Sequence, residues 1–69
     1  MQVKCELAAN VWKIVVKVGD TVTSGQELMI LESMKMEIPV ESPCDGIVSA
    51  IHIAEGDAAN DGQLLVTID

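Results

Sequence analysis

The sequence GDTVTSGQEL at residues 19–28 recurs as GDAANDGQLL at residues 56–65, an offset of 37 positions. The same offset aligns residues 2–32 with residues 39–69 without a gap, and eight of the 31 pairs are identical. The glycines keep their register with the apolar positions, as expected of turns placed between strands. The chain is therefore expected to form one domain, residues 1–69, made of two equivalent halves.

Short strands are the predicted structure of each half, about four in each. Apolar and polar residues alternate in two stretches, while other stretches are short apolar runs between turn-forming residues. The strands that can be located lie at residues 11–18, 21–22, 27–32, 47–53, 58–59 and 64–68. Such a pattern predicts an all-β fold, in which two small antiparallel sheets pack face to face about a quasi-twofold axis.

Lys35 lies in the run ESMKME at residues 32–37, midway between the two copies. In a quasi-twofold fold, the connection between the halves is equivalent to the gap between the termini. We therefore expect Lys35 at one end of the molecule and both termini at the other. The run contains no Gly, Asn or Pro, so symmetry predicts a hairpin here although local turn chemistry does not.

Two methionines flank the lysine, and the residues alone leave two interpretations of them. Met34 and Met36 are either soft, exposed side chains that dock into a partner, or ordinary packing residues that fold back onto the ends of the sheets.

Composition excludes several classes of function. The formal charge of −7 argues against nucleic acid or an anionic membrane as a partner. Apolar residues make up 49% of the chain and Trp12 is the one aromatic residue, so we expect an aliphatic core with Trp12 partly buried at a strand start. The sequence shows no secretory signal and no membrane-spanning run, which predicts a cytoplasmic protein with Cys5 and Cys44 reduced.

Neither a catalytic residue nor a metal ligand is predicted. His52 is the only histidine, it is expected on the outer face of a strand, and no Ser or Cys can be tied to it as a nucleophile. Two cysteines and one histidine without ligand spacing do not predict a metal site.

The run ESMKME resembles the attachment motif of biotinyl domains. The flanking sequences VWKIVVKVGDTVTSGQEL, PVESPCDGIV and GDAANDGQLL extend the resemblance over nearly the whole chain, which is similar to small stand-alone biotin carboxyl carrier-like proteins of the biotinyl/lipoyl family. The resemblance implies a flattened barrel of two four-stranded antiparallel sheets, with the lysine on a tight hairpin.

The resemblance also implies roles for individual residues. Lys35 is expected to carry biotin in amide linkage, attached by a biotin protein ligase. The residues expected to be read by that ligase are Glu32, Ser33, Met34 and Met36. The glycines expected to form structural turns are Gly19, Gly25, Gly56 and Gly62.

The implied function is that of a carrier, which takes carboxyl groups between active sites with carboxylase or carboxyltransferase components as partners. The protein is expected to be a substrate of its ligase and not an enzyme. An ordinary lysine amine is protonated at neutral pH and is a poor nucleophile, so the ligase must support its reaction.

Two alternatives remain open. The first is a lipoyl carrier, or a dual acceptor of biotin and lipoate that is also a substrate of a lipoyl ligase, although Met34 and Met36 favour biotin. The second is an unmodified β-module for protein–protein contact.

The sequence departs from the family pattern in a few places. Ser33 stands where alanine is usual, and residues 7–10 replace a turn that in relatives often contains proline and ends in glycine. We recognise neither the inserted segment, called a thumb, that some carboxyl carrier proteins have, nor a partner domain. The sequence therefore does not indicate which carboxylase the domain would serve.

Overall fold

A computed structural model describes all residues, 1–69, and shows eight β-strands and no helix. The strands are β1 (Gln2–Lys4), β2 (Ala9–Ile14), β3 (Thr21–Val22), β4 (Glu27–Ser33), β5 (Met36–Glu41), β6 (Gly46–Ile51), β7 (Ala58–Ala59) and β8 (Leu64–Ile68). They form two four-stranded antiparallel sheets, as predicted. No helix long and apolar enough to cross a membrane is found.

The internal repeat is visible in the sheet topology. The terminal sheet has the strand order β1-β8-β6-β3 and the hairpin sheet has the order β5-β4-β2-β7. A shift of 37 residues converts one order into the other, which confirms the predicted quasi-twofold symmetry. Each sheet takes two strands from each half, so neither half can complete a sheet without the other.

Each copy of the repeat closes its turns with two side-chain hydrogen bonds, one accepted by an Asp and one by a Gln. Asp20 Oδ2 accepts a bond of 2.9 Å from the Lys17 amide, and Asp57 Oδ2 accepts one of 3.1 Å from the Ala54 amide. Gln26 Oε1 and its counterpart in the second half each accept a bond from the amide three residues earlier. The repeated Asp and Gln therefore specify turn geometry.

The glycines of the same motif have the backbone conformation that these turns require. The φ angles of Gly19, Gly25, Gly56 and Gly62 are 97°, 86°, 89° and 84°. Glycine adopts positive φ without the steric penalty of a Cβ atom. The prediction that these four residues form turns is confirmed.

One aliphatic cluster of 14 buried residues fills the space between the sheets. Two of its members, Leu28 and Leu65, lie at β-bulges in equivalent positions of the two sheets and are completely buried. A bulge directs two consecutive side chains to the same face. Leu28 and Met29 consequently both point into the core, and neither exposes any surface.

Two predicted strands are shorter than expected. The strand predicted over residues 11–18 begins at Ala9 and ends at Ile14, and Val18, beyond its end, is 61% exposed. The strand predicted over residues 47–53 ends at Ile51, although Ile53 is buried as expected. One further backbone bond follows each strand, from the Val15 amide to the Leu28 carbonyl oxygen and from the His52 amide to the Leu65 carbonyl oxygen, before the Asp-closed turns.

Trp12 is partly buried as predicted, but it does not lie at a strand start. Trp12 lies within β2, at a bulge between Val11 and Lys13, and is 50% exposed. The preceding Val11 is buried, so Trp12 lies on the outside of the sheet, as alternation counted from Val11 gives.

Truncation of either bulge leucine is expected to destabilise the domain by the same amount. Leu28→Ala and Leu65→Ala should each lower the free energy of unfolding by about 2–5 kcal/mol, because each leaves a cavity in the core. Urea denaturation followed by circular dichroism measures the loss. A large loss for one variant and none for the other would contradict an equal contribution of the two halves to the core.

Candidate attachment site

The hairpin between β4 and β5 has a turn of only two residues, Met34 and Lys35. Ser33 and Met36 form the last pair of the ladder before it. The φ angles of Met34 and Lys35 are 53° and 65°, and they are the only residues other than glycine with positive φ. Positive φ at both central positions is the signature of a type I′ turn, whose twist matches that of paired strands.

The residues in this turn are not those that type I′ turns favour. Asn-Gly is the usual choice, whereas a residue with a longer side chain in the left-handed region costs about 1–2 kcal/mol. The conformation persists because the β4–β5 ladder runs from Glu27 and Glu41 up to the turn and leaves only two residues to reverse the chain. The hairpin predicted from symmetry is present, and the pairing of the strands imposes it.

The side chains of the turn project into solvent. Met34 is 91% exposed and Met36 is 63% exposed, so the interpretation that they fold back onto the sheet ends is wrong. Lys35 is exposed and takes part in none of the side-chain hydrogen bonds of the protein. Its amine is therefore accessible to an enzyme that approaches this end of the molecule.

Ser33 and Glu32 lie at the base of the turn and support it differently. Ser33 Oγ donates a bond of 3.4 Å to the Ala8 carbonyl oxygen, which connects the hairpin to the segment before β2. Glu32 is exposed and pairs across the strands with Glu37 on one side and Asn10 on the other. The side chain of Glu32 is thus available to a partner and is not used in the turn.

A shallow groove beside the turn was not predicted from the sequence. It lies between the start of β2, the end of β4 and the short strand β7, and its lining includes Asn10, Met34 and Asn60. The β2–β7 pairing of Ala9 with Ala59 forms this juxtaposition. A two-residue strand of alanines carries too weak a signal for its partner to be deduced from the sequence.

The other residues considered for chemistry lie apart from the turn. His52 is exposed, and its Nε2 lies 2.8 Å from Thr67 Oγ1 in the terminal sheet. Cys5 is buried, Cys44 is half-buried, and both are free thiols. No group of three or more His, Cys, Asp or Glu side chains is arranged to hold a metal ion.

The termini lie at the end of the molecule opposite the turn, as the repeat predicts. The Met1 amino group donates a bond of 2.6 Å to the Ile68 carbonyl oxygen, and the backbones of Ile47 and Asp69 are also paired. The protein extends 31 Å along its longest axis and 17 Å along the other two. An exposed lysine at the tip of an elongated β-domain is typical of proteins that present an amine for modification.

Comparison with known proteins identifies the family. The family described as "Biotin-requiring enzyme", a biotin/lipoyl family, matches residues 3–68. The biotin/lipoyl attachment protein of Bacillus subtilis (strain 168) is 47% identical over 68 residues, which are 99% of this chain and 93% of that protein. The chain belongs to the biotin/lipoyl attachment family.

Relatives that are longer than this chain contain it as one part. The biotin carboxyl carrier protein of Streptococcus mutans serotype c is 47% identical over 62 residues, 90% of this chain and 48% of that protein. The crystal structure of Kluyveromyces lactis urea carboxylase superposes with a TM-score of 0.94 at 33% identity, over 100% of this chain and 6% of that one. The agreement of the folds extends over the whole domain.

Relief of the strain in the turn is expected to stabilise the protein. Met34→Asn should raise the free energy of unfolding by about 1 kcal/mol, because Asn tolerates the left-handed conformation that Met34 adopts. Thermal unfolding measures the gain. Met36→Asn is the matched control, since Met36 lies in β5 and has no positive φ, and it should give no gain. Equal stabilisation by both variants would show that the turn at Met34 is not strained.

Proposed function

We propose that the protein is a biotin carrier domain in which Lys35 is joined to biotin through an amide bond. The observation that carries the proposal is an exposed lysine held on a turn whose residues are unfavourable for that turn. Residues retained against the local conformational preference mark a site whose side chains are needed for another purpose. Kinship with a biotin carboxyl carrier protein supports biotin as the group.

The chemistry of the site fits the attachment of this group. The Lys35 amine is free of hydrogen bonds, and its turn is braced by Ser33 and by the β4–β5 ladder. A primary amine and a carboxylic acid condense to an amide, so no pocket in this chain is required to hold biotin. When bound, biotin supplies carboxyl-group transfer, and the protein supplies position.

The attachment step needs an enzyme. The Lys35 Nζ lone pair attacks the carbonyl carbon of biotinyl-adenylate, the bond from that carbon to the phosphate oxygen breaks, and AMP leaves. The ammonium proton has to be removed first, and no base of this chain is hydrogen-bonded to Nζ. A biotin protein ligase therefore supplies the base, and the chain acts as its substrate.

The role of the scaffold is to offer Lys35 without hindrance. The turn lies at the end of a domain 31 Å long, and two exposed methionines flank the amine. Unbranched thioether side chains adapt to the surface of a partner. We assign Glu32, Ser33, Met34 and Met36 to recognition by the ligase, on the basis of their positions around Lys35.

Lipoate is the second candidate for the attached group. The Bacillus subtilis relative is named for both biotin and lipoyl attachment, and the two functions use one fold. Met34 and Met36 favour biotin, because lipoyl motifs usually place an acidic residue and an alanine beside the lysine. A lipoyl ligase would then be a partner in addition to the biotin ligase.

Carboxylase components are the partners that the proposal requires after attachment. The likeness to a domain of urea carboxylase supports this class of partner. The proposal places the protein in the cytoplasm, with which two free thiols are consistent.

The proposal is tested by the intact mass of the protein isolated from its own cells, followed by peptide mapping. We expect one biotinyl group on Lys35, and none on Lys35→Arg, which should unfold at the wild-type temperature because the side chain makes no contact that stabilises the fold. Lys4→Arg is the control and should be biotinylated normally. A protein that stays unmodified after incubation with ligase, biotin and ATP would instead support the unmodified β-module.

The choice between biotin and lipoate is expected to depend on the two methionines. Met34→Asp combined with Met36→Ala should reduce biotinylation and increase lipoylation when both ligases compete for the protein. Mass spectrometry of Lys35 gives the ratio of the two products. An unchanged ratio would mean that neither methionine is read.

A further inference from the structure

The outer face of the hairpin sheet carries an apolar stripe. Val11, Met29 and Leu31 of this sheet point into the core and are at most 1% exposed. The side chains that alternate with them along the strands face solvent, apart from Leu28 at the bulge. Trp12 is the unpaired bulge residue next to Lys13, which lies opposite Ile30 in the β2–β4 ladder, and Ile30 is paired with Pro39 on the edge strand β5. Trp12 is 50% exposed, Pro39 is exposed and Ile30 is half-buried.

A pair of glutamates lies on each side of this stripe. Glu27 is directly opposite Glu41, and Glu32 is directly opposite Glu37, all four being exposed. None of the four carboxylates accepts a hydrogen bond within the protein. Like charges directly opposite each other destabilise a β-ladder, so the fold gains nothing from these pairs.

The quasi-twofold symmetry provides an internal comparison. At the equivalent positions of the terminal sheet, Ser49 replaces Trp12, Thr67 replaces Ile30 and Gln2 replaces Pro39. The polar groups there bond to one another, since Ser49 Oγ donates to the Thr67 carbonyl oxygen at 3.1 Å. The same backbone therefore accepts polar residues, and the apolar stripe is not a requirement of the fold.

The charges differ between the two faces as well. The positions of Glu27 and Glu41 are taken by Leu64 and Lys4 in the terminal sheet. The paired carboxylates are thus confined to the sheet whose hairpin bears Lys35. Lys13, beside Trp12 in the bulge, is the one cation among the residues of this face.

We propose that this outer face, with Trp12, Ile30 and Pro39 between the two glutamate pairs, is the docking surface for the ligase that modifies Lys35. The proposal rests on the proposed function and extends the contact well beyond the turn. The matching ligase surface has an apolar centre flanked on both sides by Lys or Arg side chains. Exposed aromatic residues surrounded by charges of one sign are typical of interface centres and of electrostatic steering.

The position of the stripe favours the ligase over a carboxylase as the occupant. β4 and β5 lead directly from the stripe to Lys35, so an enzyme that grips this sheet also fixes the turn. An enzyme acting on Nζ has to approach within the length of one lysine side chain. A carboxylase reaches the far end of the much longer biotinyl arm and has no need to hold the sheet.

The test uses substitutions that the fold already accepts in its other half. Trp12→Ser and Ile30→Thr introduce the residues found at the equivalent positions of the terminal sheet, and folding is checked by circular dichroism. Steady-state biotinylation by purified ligase should show kcat/KM reduced by about tenfold or more, through KM with kcat retained. Gln2→Ala, on the outer face of the terminal sheet, is the control and should leave kcat/KM unchanged.

The charges give a second readout that a structural role would not produce. Glu27→Gln with Glu41→Gln should raise the unfolding temperature, because the like-charge pair is removed, and yet lower kcat/KM. The decrease of kcat/KM with added salt should also become weaker in this variant, since fewer charges steer the encounter.

The outcomes separate this inference from the proposed function. Wild-type KM values in the Trp12→Ser and Ile30→Thr variants, with biotin still found on Lys35, would overturn the docking surface and leave the carrier function standing. An equal loss of kcat/KM in the Gln2→Ala control would also overturn the docking surface, because the effect would not be specific to the outer face of the hairpin sheet. A wild-type protein that accepts no biotin would overturn both.

Discussion

The pairing of β4 with β5 is the constraint on which the site depends. This ladder continues to Ser33 and Met36 and leaves two residues to reverse the chain. Both must then adopt positive φ, although neither is Gly or Asn. The energy that holds the turn comes from the ladder and from the buried faces of its strands, where Met29 and Leu31 pack into the core. The Lys35 amine is thereby held at the tip without any side-chain hydrogen bond of its own.

The two halves share the residues that form the turns and the core, and they differ in the residues on the outer faces of the sheets. Turns closed by Asp and Gln side chains, positive-φ glycines and bulge leucines are shared. The outer faces are not shared, since one bears Trp12, Ile30 and four glutamates while the other has Ser49 and Thr67 at the positions of Trp12 and Ile30. An internal repeat thus separates residues that form the fold from residues that the fold merely tolerates. By this criterion the residues available for function lie on the hairpin sheet and at the end of the molecule that bears Lys35.

The carrier role agrees with the exposure of Lys35 at the tip of the hairpin, where its amine can be approached by other proteins. An elongated β-domain with a lysine at its tip gives a partner protein access to that lysine, because the rest of the domain lies on the other side of the turn. Kinship with the biotin/lipoyl attachment family is in keeping with this arrangement.

The sequence by itself determined the repeat, the strand number, the turns and the place of Lys35 between the halves, because these depend on local residue patterns and on symmetry. It did not reveal that β2 ends at Ile14 or that Trp12 lies at a bulge, since alternation within one strand does not show where its pairing with the neighbouring strand shifts or ends. It also left the exposure of Met34 and Met36 undecided. Only the tertiary structure decided that these methionines project into solvent and that Trp12, Ile30 and Pro39 meet on one face. Both outcomes depend on how the strands pair, and residue patterns within one strand carry no information about the neighbours across the sheet.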